Sequence, residues 1–245
     1  MEISEYQKMH DAESAHFWFT AKRRFLGIVL DRHVPVPSSG TKIRALDFGC
    51  GTGAVLEFFA ERGYEAKGTD MSPEALSFCR AKGLSVELEE GGKIPYPDAS
   101  FDLVSALDVV EHIRDDGAAI REMRRVLRPG GILVVMVPAH QWLWSYHDAA
   151  LHHFRRYSRH SLSVLLAGEF EVRSVGWMHA SVLLPATLVR CMAKIFGKSS
   201  GESDVRPVSP MVNSIMGALY AAELFLFRHV GLPFGLSLMG VVRKR

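Results

Sequence analysis

The chain has 245 residues, 48% of them hydrophobic and 23% charged, and its 29 Lys and Arg against 27 Asp and Glu leave a net charge of +2. This composition excludes a disordered or fibrous chain. So small a positive charge argues against a protein that binds nucleic acid through its phosphates, so no nucleic-acid partner is expected. The three cysteines form no CxxC pair, which excludes a disulfide framework and indicates a reducing, cytoplasmic location.

The first predicted element is a helix over residues 3–31, and short apolar runs then alternate with helical stretches. The predicted strands are 43–48, 64–68, 84–88, 101–109 and 132–138, and the helices between them are 54–62, 73–82 and 115–127. Two further strands are predicted over 170–177 and 235–243, with apolar, helix-rich sequence between them. Strands that alternate with helices predict βαβ units, and hence an α/β fold with a parallel sheet.

The C-terminal third is unusually apolar. Its stretch from Met211 to Phe227 has 13 apolar residues of 17, but polar residues interrupt it. A membrane span needs about 18 nearly uninterrupted apolar residues. We therefore expect a soluble protein, and leave open that this segment contacts a membrane surface, a partner or the substrate.

The sequence LDFGCGTG (46–53) lies where the first strand meets the first helix of the alternating region. Glycines there let the backbone approach a ligand, and the helix N-terminus presents free N–H groups. Asp70 ends the second strand, where it can accept hydrogen bonds from a ribose diol. Taken alone, the loop also fits a strand–helix turn without a ligand, or the loose dinucleotide pattern of a nicotinamide-dependent oxidoreductase.

Three later motifs narrow the choice: IPYPDASFD (94–102), LDVVEH (107–112) and LRPGG (127–131). With the glycine loop, in this order, they resemble the class I S-adenosylmethionine-dependent methyltransferases, most closely the small-molecule group of the ubiquinone and menaquinone methylases. The resemblance covers about residues 41–140. It implies a Rossmann-like, doubly wound seven-stranded sheet with an antiparallel last strand, an N-terminal helical cap, and a helical insertion between strands six and seven.

The same resemblance implies one methyltransferase domain over 1–245, with a cap (1–40), a cofactor half (41–140), and a substrate loop, insertion and closing strands (141–245). Its cofactor would be S-adenosylmethionine, leaving as S-adenosylhomocysteine. Asp47 would anchor the methionine amino group, Asp70 the ribose hydroxyls, and Met71 the adenine. The adenine-contacting acid of the third strand falls near Glu90. The other cofactor residues implied are Gly49, Cys50, Gly51, Gly53 and Leu107.

Candidate catalytic residues follow the fourth strand. A base is needed only if the acceptor must lose a proton, and His112 has the intrinsic pKa for this role. Asp108 is the second candidate, more as a wall of the pocket, and His147 is the third. His112 also has a structural alternative, in which it bonds to neighbouring backbone and shapes the start of the helix.

Candidate substrate residues are aromatic or cationic and lie in the loop after the fifth strand and in the N-terminal cap. They are Trp142, Trp144, Tyr146, Arg155, Arg156 and Tyr157 in the loop, and Tyr6, His16 and Trp18 in the cap. Aromatic walls and a guanidinium suit an anionic or electron-rich group, although packing and solvated helix faces explain the same pattern. The histidine spacing does not match a helical metal motif, so no metal is expected.

Together these features predict an enzyme that methylates O or N of a small, planar or anionic molecule. Acceptors that are lipid-linked or polyprenyl, used at a membrane surface, are the alternative. A catalytically silent cofactor-binding module is a further one. The expected assembly is a monomer or a homodimer.

Overall fold

A computed structural model of the chain describes residues 3–35, 40–195 and 208–245. Its strands are β1 Arg44–Phe48, β2 Glu65–Asp70, β3 Val86–Leu88, β4 Phe101–Leu107, β5 Leu127–Pro138, β6 Glu171–Met178 and β7 Ser237–Arg243. Its helices are α1 Ile3–Glu13, α2 Phe17–His33, α3 Ala54–Glu61, α4 Pro73–Ala81, α5 Asp116–Val126, α6 Tyr146–Ala150, α7 Arg159–Ala167, α8 Ala180–Ile195 and α9 Pro210–His229.

The seven strands form one sheet in the order β3-β2-β1-β4-β5-β7-β6. The pairs from β3 to β5 are parallel, and β7 is antiparallel to both β5 and β6. The predicted α/β class, the antiparallel last strand and the helical insertion before it are confirmed. The strand order changes direction between β1 and β4, which is where open α/β sheets form their binding crevice.

The sheet is covered on both faces because residues of its central strands alternate between two cores. In β5, Leu133, Val135 and Val137 pack with apolar residues of α5 and α7. Val134 and Met136 point to the other face and pack with residues of α2 and α9. The N-terminal cap and the insertion therefore share one face of the sheet.

Two predicted elements differ from the observed ones by more than two residues. The single helix over 3–31 is two helices, because His16 caps α2 by accepting a hydrogen bond from the Trp18 N–H. The strand predicted to begin at residue 132 begins at Leu127, although RPGG reads as a turn. Its glycines pair with the residue that follows β7, since Gly130 N donates to Lys244 O and Lys244 N donates to Gly131 O, while Gly130 keeps a positive φ of 79°.

A buried carboxylate joins the two helices of the insertion. Glu223 of α9 is 4% exposed and accepts hydrogen bonds from Ala180 N and Ser181 N, each at 2.8 Å, and from the Ser181 hydroxyl. These N–H groups open α8 and have no partner within the helix. The negative charge also complements the positive end of the helix dipole.

We expect Glu223→Ala to lower the free energy of unfolding by about 1–3 kcal/mol, because it leaves buried donors without an acceptor. Urea unfolding followed by circular dichroism measures the change. The exposed Glu65→Ala is the control and should change stability by less than about 0.5 kcal/mol. Equal effects of the two substitutions would contradict the capping role.

Candidate cofactor and acceptor site

The site begins with the loop that follows β1 at the carboxyl edge of the sheet. Gly49 and Gly51 have φ of 70° and 53°, in the left-handed region that glycine adopts without strain. A Cβ on Gly49 would lie 2.5 Å from Val109 Cγ2, and one on Gly51 would lie 2.7 Å from Met9 Cε. The loop is therefore closely covered by the segment after β4 on one side and by α1 on the other.

Two buried carboxylates flank this loop. Asp47 is 3% exposed and accepts a 2.6 Å hydrogen bond from the Ser105 hydroxyl of the neighbouring strand. Burial raises its pKa to about 7, against the opposing effects of Ser105 and Lys22. Asp70 accepts hydrogen bonds from Gly51 N and Ser72 N, each at 2.9 Å, and burial raises its pKa too.

A third acid lies beside this pair. Burial, followed by the charge of Asp70, raises the pKa of Glu89 to about 7, and Glu89 N donates to Asp70 O. Glu90, the predicted adenine contact, is exposed, and its backbone forms an isolated antiparallel β-bridge with Lys93. Glu89 is thus the acid that the structure brings towards Asp70, and its half-buried position could not be read from a run of two adjacent glutamates.

The remaining predicted cofactor residues surround the same loop. Cys50 and Leu107 are buried, Gly53 precedes α3 with φ of 96°, and Met71 is 75% exposed after Asp70. Tyr6 of α1 is buried, and its pKa is raised by burial and then by the charge of Asp70, so it lies beside this acid.

Helix α1 is anchored over the loop by a buried acid that sequence reasoning missed. Glu13 is 4% exposed and accepts from the Thr52 hydroxyl at 2.5 Å, and it pairs with Lys82 Nζ at 2.6 Å. Thr52 belongs to the glycine loop and Lys82 follows α4. The N-terminal helix therefore closes this edge of the sheet, as the predicted cap requires.

The acceptor side of the site lies past the end of β4. Asp108 has φ of 60°, a left-handed conformation uncommon outside glycine, asparagine and aspartate. Its Oδ2 lies 2.5 Å from Lys22 Nζ of α2. Lys22 also influences the pKa values of Asp47 and Glu111, so its ammonium lies among three acids. No sequence pattern singled out Lys22.

Glu111 and His112 follow on a short 3-10 turn. Glu111 is 1% exposed, and neither carboxylate oxygen has a hydrogen-bond partner among the described residues. Burial, then the charge of Asp108, raises its pKa well above the usual range. His112 is half-buried, and burial together with His153 lowers its pKa to about 4. A pKa this low makes the imidazole a weak base, which weakens the prediction that it acts as a general base near pH 7.

Asp148 organises the loop after β5. It is fully buried and accepts hydrogen bonds from Ser145 N, His153 Nδ1 and Arg156 Nε at 2.9, 2.9 and 2.7 Å. Burial opposes its ionisation, but His153 and Arg156 outweigh burial and hold its pKa well below the usual range. Arg156 also donates to Ala139 O at 3.0 Å. The guanidinium of Arg156, which was predicted to bind substrate, is therefore hydrogen-bonded to Asp148 and Ala139 within the protein.

Two other predicted substrate residues are engaged elsewhere. Arg155 Nη1 lies 2.7 Å from Asp116 Oδ2, and its Nη2 donates to Arg114 O. Tyr157 is 3% exposed in the core and donates to Asp116 Oδ2 at 2.8 Å. Both side chains tie the loop to the start of α5.

The aromatic candidates are spread over the surface of the loop and cap. Trp142 is 59% exposed, Trp144 and Tyr146 are half-buried, and the His147 ring lies 6.2 Å from that of His153. His16 caps α2 and stacks on Phe17. These residues do not form one aromatic cage.

Trp18 points to a residue that sequence reasoning missed. Its ring stacks 4.1 Å from that of His179, which is fully buried at the end of β6 and has φ of 61°. His179 Nδ1 lies 2.8 Å from the Tyr220 hydroxyl. Burial, followed by the charge of the nearby Lys22, lowers the pKa of His179 to about 3. This imidazole is therefore neutral and lies near the Lys22 ammonium.

The sheet order, the glycine loop after β1 and the acids ending β1 and β2 define a class I methyltransferase fold. Residues 46–135 match the methyltransferase domain family. The chain is 37% identical over 105 residues to norajmaline N-methyltransferase of Rauvolfia serpentina, covering 39% of this chain and 36% of that protein. It is 30% identical over 153 residues to the ubiquinone biosynthesis O-methyltransferase of Hahella chejuensis, covering 54% and 60%. The chain thus spans less than two thirds of the length of each of these relatives.

Solved structures share this fold across nearly the whole chain. A methyltransferase in complex with the Trm112 methyltransferase activator of Haloferax volcanii superposes with a TM-score of 0.61 at 21% identity, over 99% of this chain and 93% of that one. An S-adenosylmethionine-dependent methyltransferase from Mesorhizobium loti gives 0.58 at 17% identity, over 91% and 98%. Residues 46–135 thus carry the methyltransferase domain, which confirms the predicted resemblance to the class I S-adenosylmethionine-dependent methyltransferases, and S-adenosylmethionine is the cofactor that this resemblance predicts.

The residues present fit this cofactor. S-adenosylmethionine offers an ammonium group, a ribose diol and an adenine amine, all of which are donors. Asp47, Asp70 and Glu89 are acceptors, and burial makes each harder to ionise until a donor arrives. Asp47 and Asp70 would hold the ammonium and ribose ends, and Glu89 the adenine end.

The raised pKa of Asp47 predicts pH-dependent cofactor binding. The free protein holds this carboxyl half-protonated near pH 7, and an ammonium ligand favours the ionised form. Affinity for S-adenosylmethionine should therefore fall by up to about tenfold per pH unit below pH 7 and level off above it. Calorimetry at pH values from about 5 to about 9, on either side of that pKa, measures the profile. Asp47→Asn should bind weakly and with a shallower profile, because Glu89, whose pKa is also raised to about 7, still titrates; an unchanged slope would assign the titration to another group.

Proposed function

We propose that the protein transfers the methyl group of S-adenosylmethionine to an oxygen or nitrogen of a small acceptor that is planar or anionic. The observation that carries this proposal is the cluster of Lys22, Asp108 and Glu111 at the end of β4, directly beside the buried Asp47. This cluster adjoins the cofactor acids without being part of the glycine loop. Relatives of the chain include both N- and O-methyltransferases, which supports small-molecule methylation without choosing the acceptor atom.

The bound cofactor supplies an electrophilic methyl group on a sulfonium. The protein's part is then to hold the acceptor in line with that methyl group, which is a proximity effect. Lys22, whose side chain is 12% exposed, offers a positive charge to an anionic acceptor, and Asp108 fixes its position.

Transfer of an isotopically labelled methyl group tests this function. The protein is incubated with S-adenosylmethionine labelled with deuterium in the methyl group and with fractionated small-molecule extracts, and products are detected by mass spectrometry. We expect labelled products in fractions of small aromatic or carboxylate compounds, and none with the Asp70→Asn variant. Binding of cofactor without labelled product in any fraction would support the silent-module alternative.

A specific surface favours a second candidate, in which the acceptor is lipid-linked. Helix α9 is long and apolar enough to cross a membrane by its length and composition, with mean hydropathy 1.3, yet only 22% of the 18-residue stretch that gives this value is buried. Met211, Ile215, Leu219 and Phe225 are 48–71% exposed along it. The acid within 180–195 and 210–230 is Glu223, which is buried, while Arg228 is exposed. An apolar face without exposed acids suits an anionic membrane surface.

Co-sedimentation with vesicles of phosphatidylcholine and phosphatidylglycerol tests this second candidate. The wild type should sediment with the vesicles, and the double variant Leu219→Ser/Phe225→Ser should remain in solution. Val164→Ser, at an equally exposed position of α7 (59%), is the matched control and should sediment like the wild type. A wild type that stays in solution would remove the lipid-linked acceptor from consideration.

A further inference from the structure

We propose that Glu111, His112 and His153 form a binding site for one divalent transition-metal ion of the Zn²⁺ type. One ligand atom of each residue lies within 4.8 Å of the other two. Ligands about 2.0–2.2 Å from a tetrahedral ion are about 3.3–3.6 Å apart, so the three side chains need to move inward by about 1 Å to bind it. Two imidazoles and one carboxylate are a donor set that zinc takes in enzymes.

Both histidines are already oriented as metal-binding histidines are. His153 Nδ1 is held by Asp148 Oδ1 at 2.9 Å, which directs its Nε2 away from that carboxylate. His112 makes its own hydrogen bond to the backbone of Leu151. A ligating histidine characteristically donates its second nitrogen to a carboxylate or carbonyl, which fixes the ring and its tautomer. The two rings meet edge to face, with centroids 4.6 Å apart.

Glu111 is the independent observation that points to a ligand. Its carboxylate is 1% exposed, and both oxygens are buried without a hydrogen-bond partner among the described residues. A buried polar group without a partner is costly and rare in folded proteins. The nearby cations have acids of their own, since Lys22 pairs with Asp108 and Arg156 with Asp148. A metal ion would satisfy the Glu111 oxygens directly.

Three protein ligands leave a coordination position open, as in catalytic rather than structural zinc sites. The site adjoins Asp108. This residue follows β4, the strand that pairs with β1 at Asp47. An acceptor oxygen bound at the open position would have its pKa lowered by the ion, so that it could lose its proton near neutral pH. This role rests on the proposed methyl transfer, whereas metal binding itself does not.

The test measures metal binding without methyl transfer. Untagged protein is stripped with a chelator, dialysed, and titrated with Zn²⁺ by calorimetry and with Co²⁺ by visible absorption. We expect about one ion per chain and the Co²⁺ bands of a four- or five-coordinate site. Mg²⁺, which prefers oxygen ligands, should not compete. Because S-adenosylhomocysteine binding is measured separately, failure of the metal site and failure of the proposed function are distinguishable.

Adjacent histidines provide matched variants. His153→Asn and the near-isosteric Glu111→Gln should each weaken Zn²⁺ binding by about tenfold or more. His152→Asn changes the exposed neighbour, whose left-handed backbone (φ 57°) asparagine tolerates, and should bind like the wild type. The absence of a stoichiometric Co²⁺ spectrum in the wild type would overturn the proposal. Equal affinity of the His153→Asn and His152→Asn variants would overturn it as well.

Discussion

Asp70→Asn is expected to weaken binding of S-adenosylmethionine about 10–100-fold, equivalent to about 1.5–3 kcal/mol for a lost hydrogen bond to a charged group. Asp70 is 7% exposed, and Gly51 N and Ser72 N already donate to its two oxygens. Each oxygen retains a second lone pair, and these can accept from a ribose diol. Asparagine keeps the shape but replaces one acceptor with a donor, so both the loop and the ligand lose a partner.

Calorimetry with S-adenosylhomocysteine measures this loss, and thermal unfolding shows whether the variant remains folded. Asp98→Asn is the matched control, because Asp98 is exposed and pairs with Arg125 away from the glycine loop. It should bind like the wild type. Unchanged affinity in a folded Asp70→Asn protein would mean that the ribose is held elsewhere.

Asp148→Asn is expected to lower the free energy of unfolding by about 3–5 kcal/mol, because it leaves the buried Arg156 guanidinium without its acid. Arg156 is 6% exposed and His153 is half-buried, and both bond to the same carboxylate oxygen. Domains are stable by only about 5–15 kcal/mol, so about a fifth or more of the stability is at stake. Urea unfolding followed by fluorescence and circular dichroism measures it.

A double variant separates the buried charge from general damage to the loop. Adding Arg156→Met to Asp148→Asn removes the uncompensated guanidinium, and should recover part of the lost stability. Asp116→Asn, whose carboxylate is partly exposed and holds Tyr157 and Arg155, should be milder. A loss below about 1 kcal/mol in Asp148→Asn would contradict the account of this loop.

The sheet and the cofactor loop could be predicted from the sequence because their signals are local. The glycines after β1 are required by positive φ and by close neighbours, and Asp47 and Asp70 lie at strand ends that parallel pairing brings together. The N-terminal boundaries of β5 and β7 were less predictable. RPGG is turn-forming on its own, and its pairing with Lys244, 113 or more residues away in the chain, joins it to the sheet.

The acceptor side was only partly predictable because its contacts are long-range. Lys22 meets Asp108 across 86 positions of the chain, and Glu223 meets Ala180 across 43. His179 is an isolated histidine in the sequence, whereas the fold buries it against Trp18. The loop motif was recognised, but its arginines and tyrosine serve the packing around Asp148 and Asp116. No pattern of residue types distinguishes an arginine that binds substrate from one that fixes a loop.

Calorimetry of the wild-type protein with S-adenosylhomocysteine and, separately, with NAD⁺ tests the central claim most directly. The buried acids at the ends of β1 and β2 predict about one S-adenosylhomocysteine per chain with a dissociation constant in the range of about micromolar, and no measurable binding of NAD⁺. Absence of S-adenosylhomocysteine binding at these concentrations, or equal binding of NAD⁺, would contradict the account.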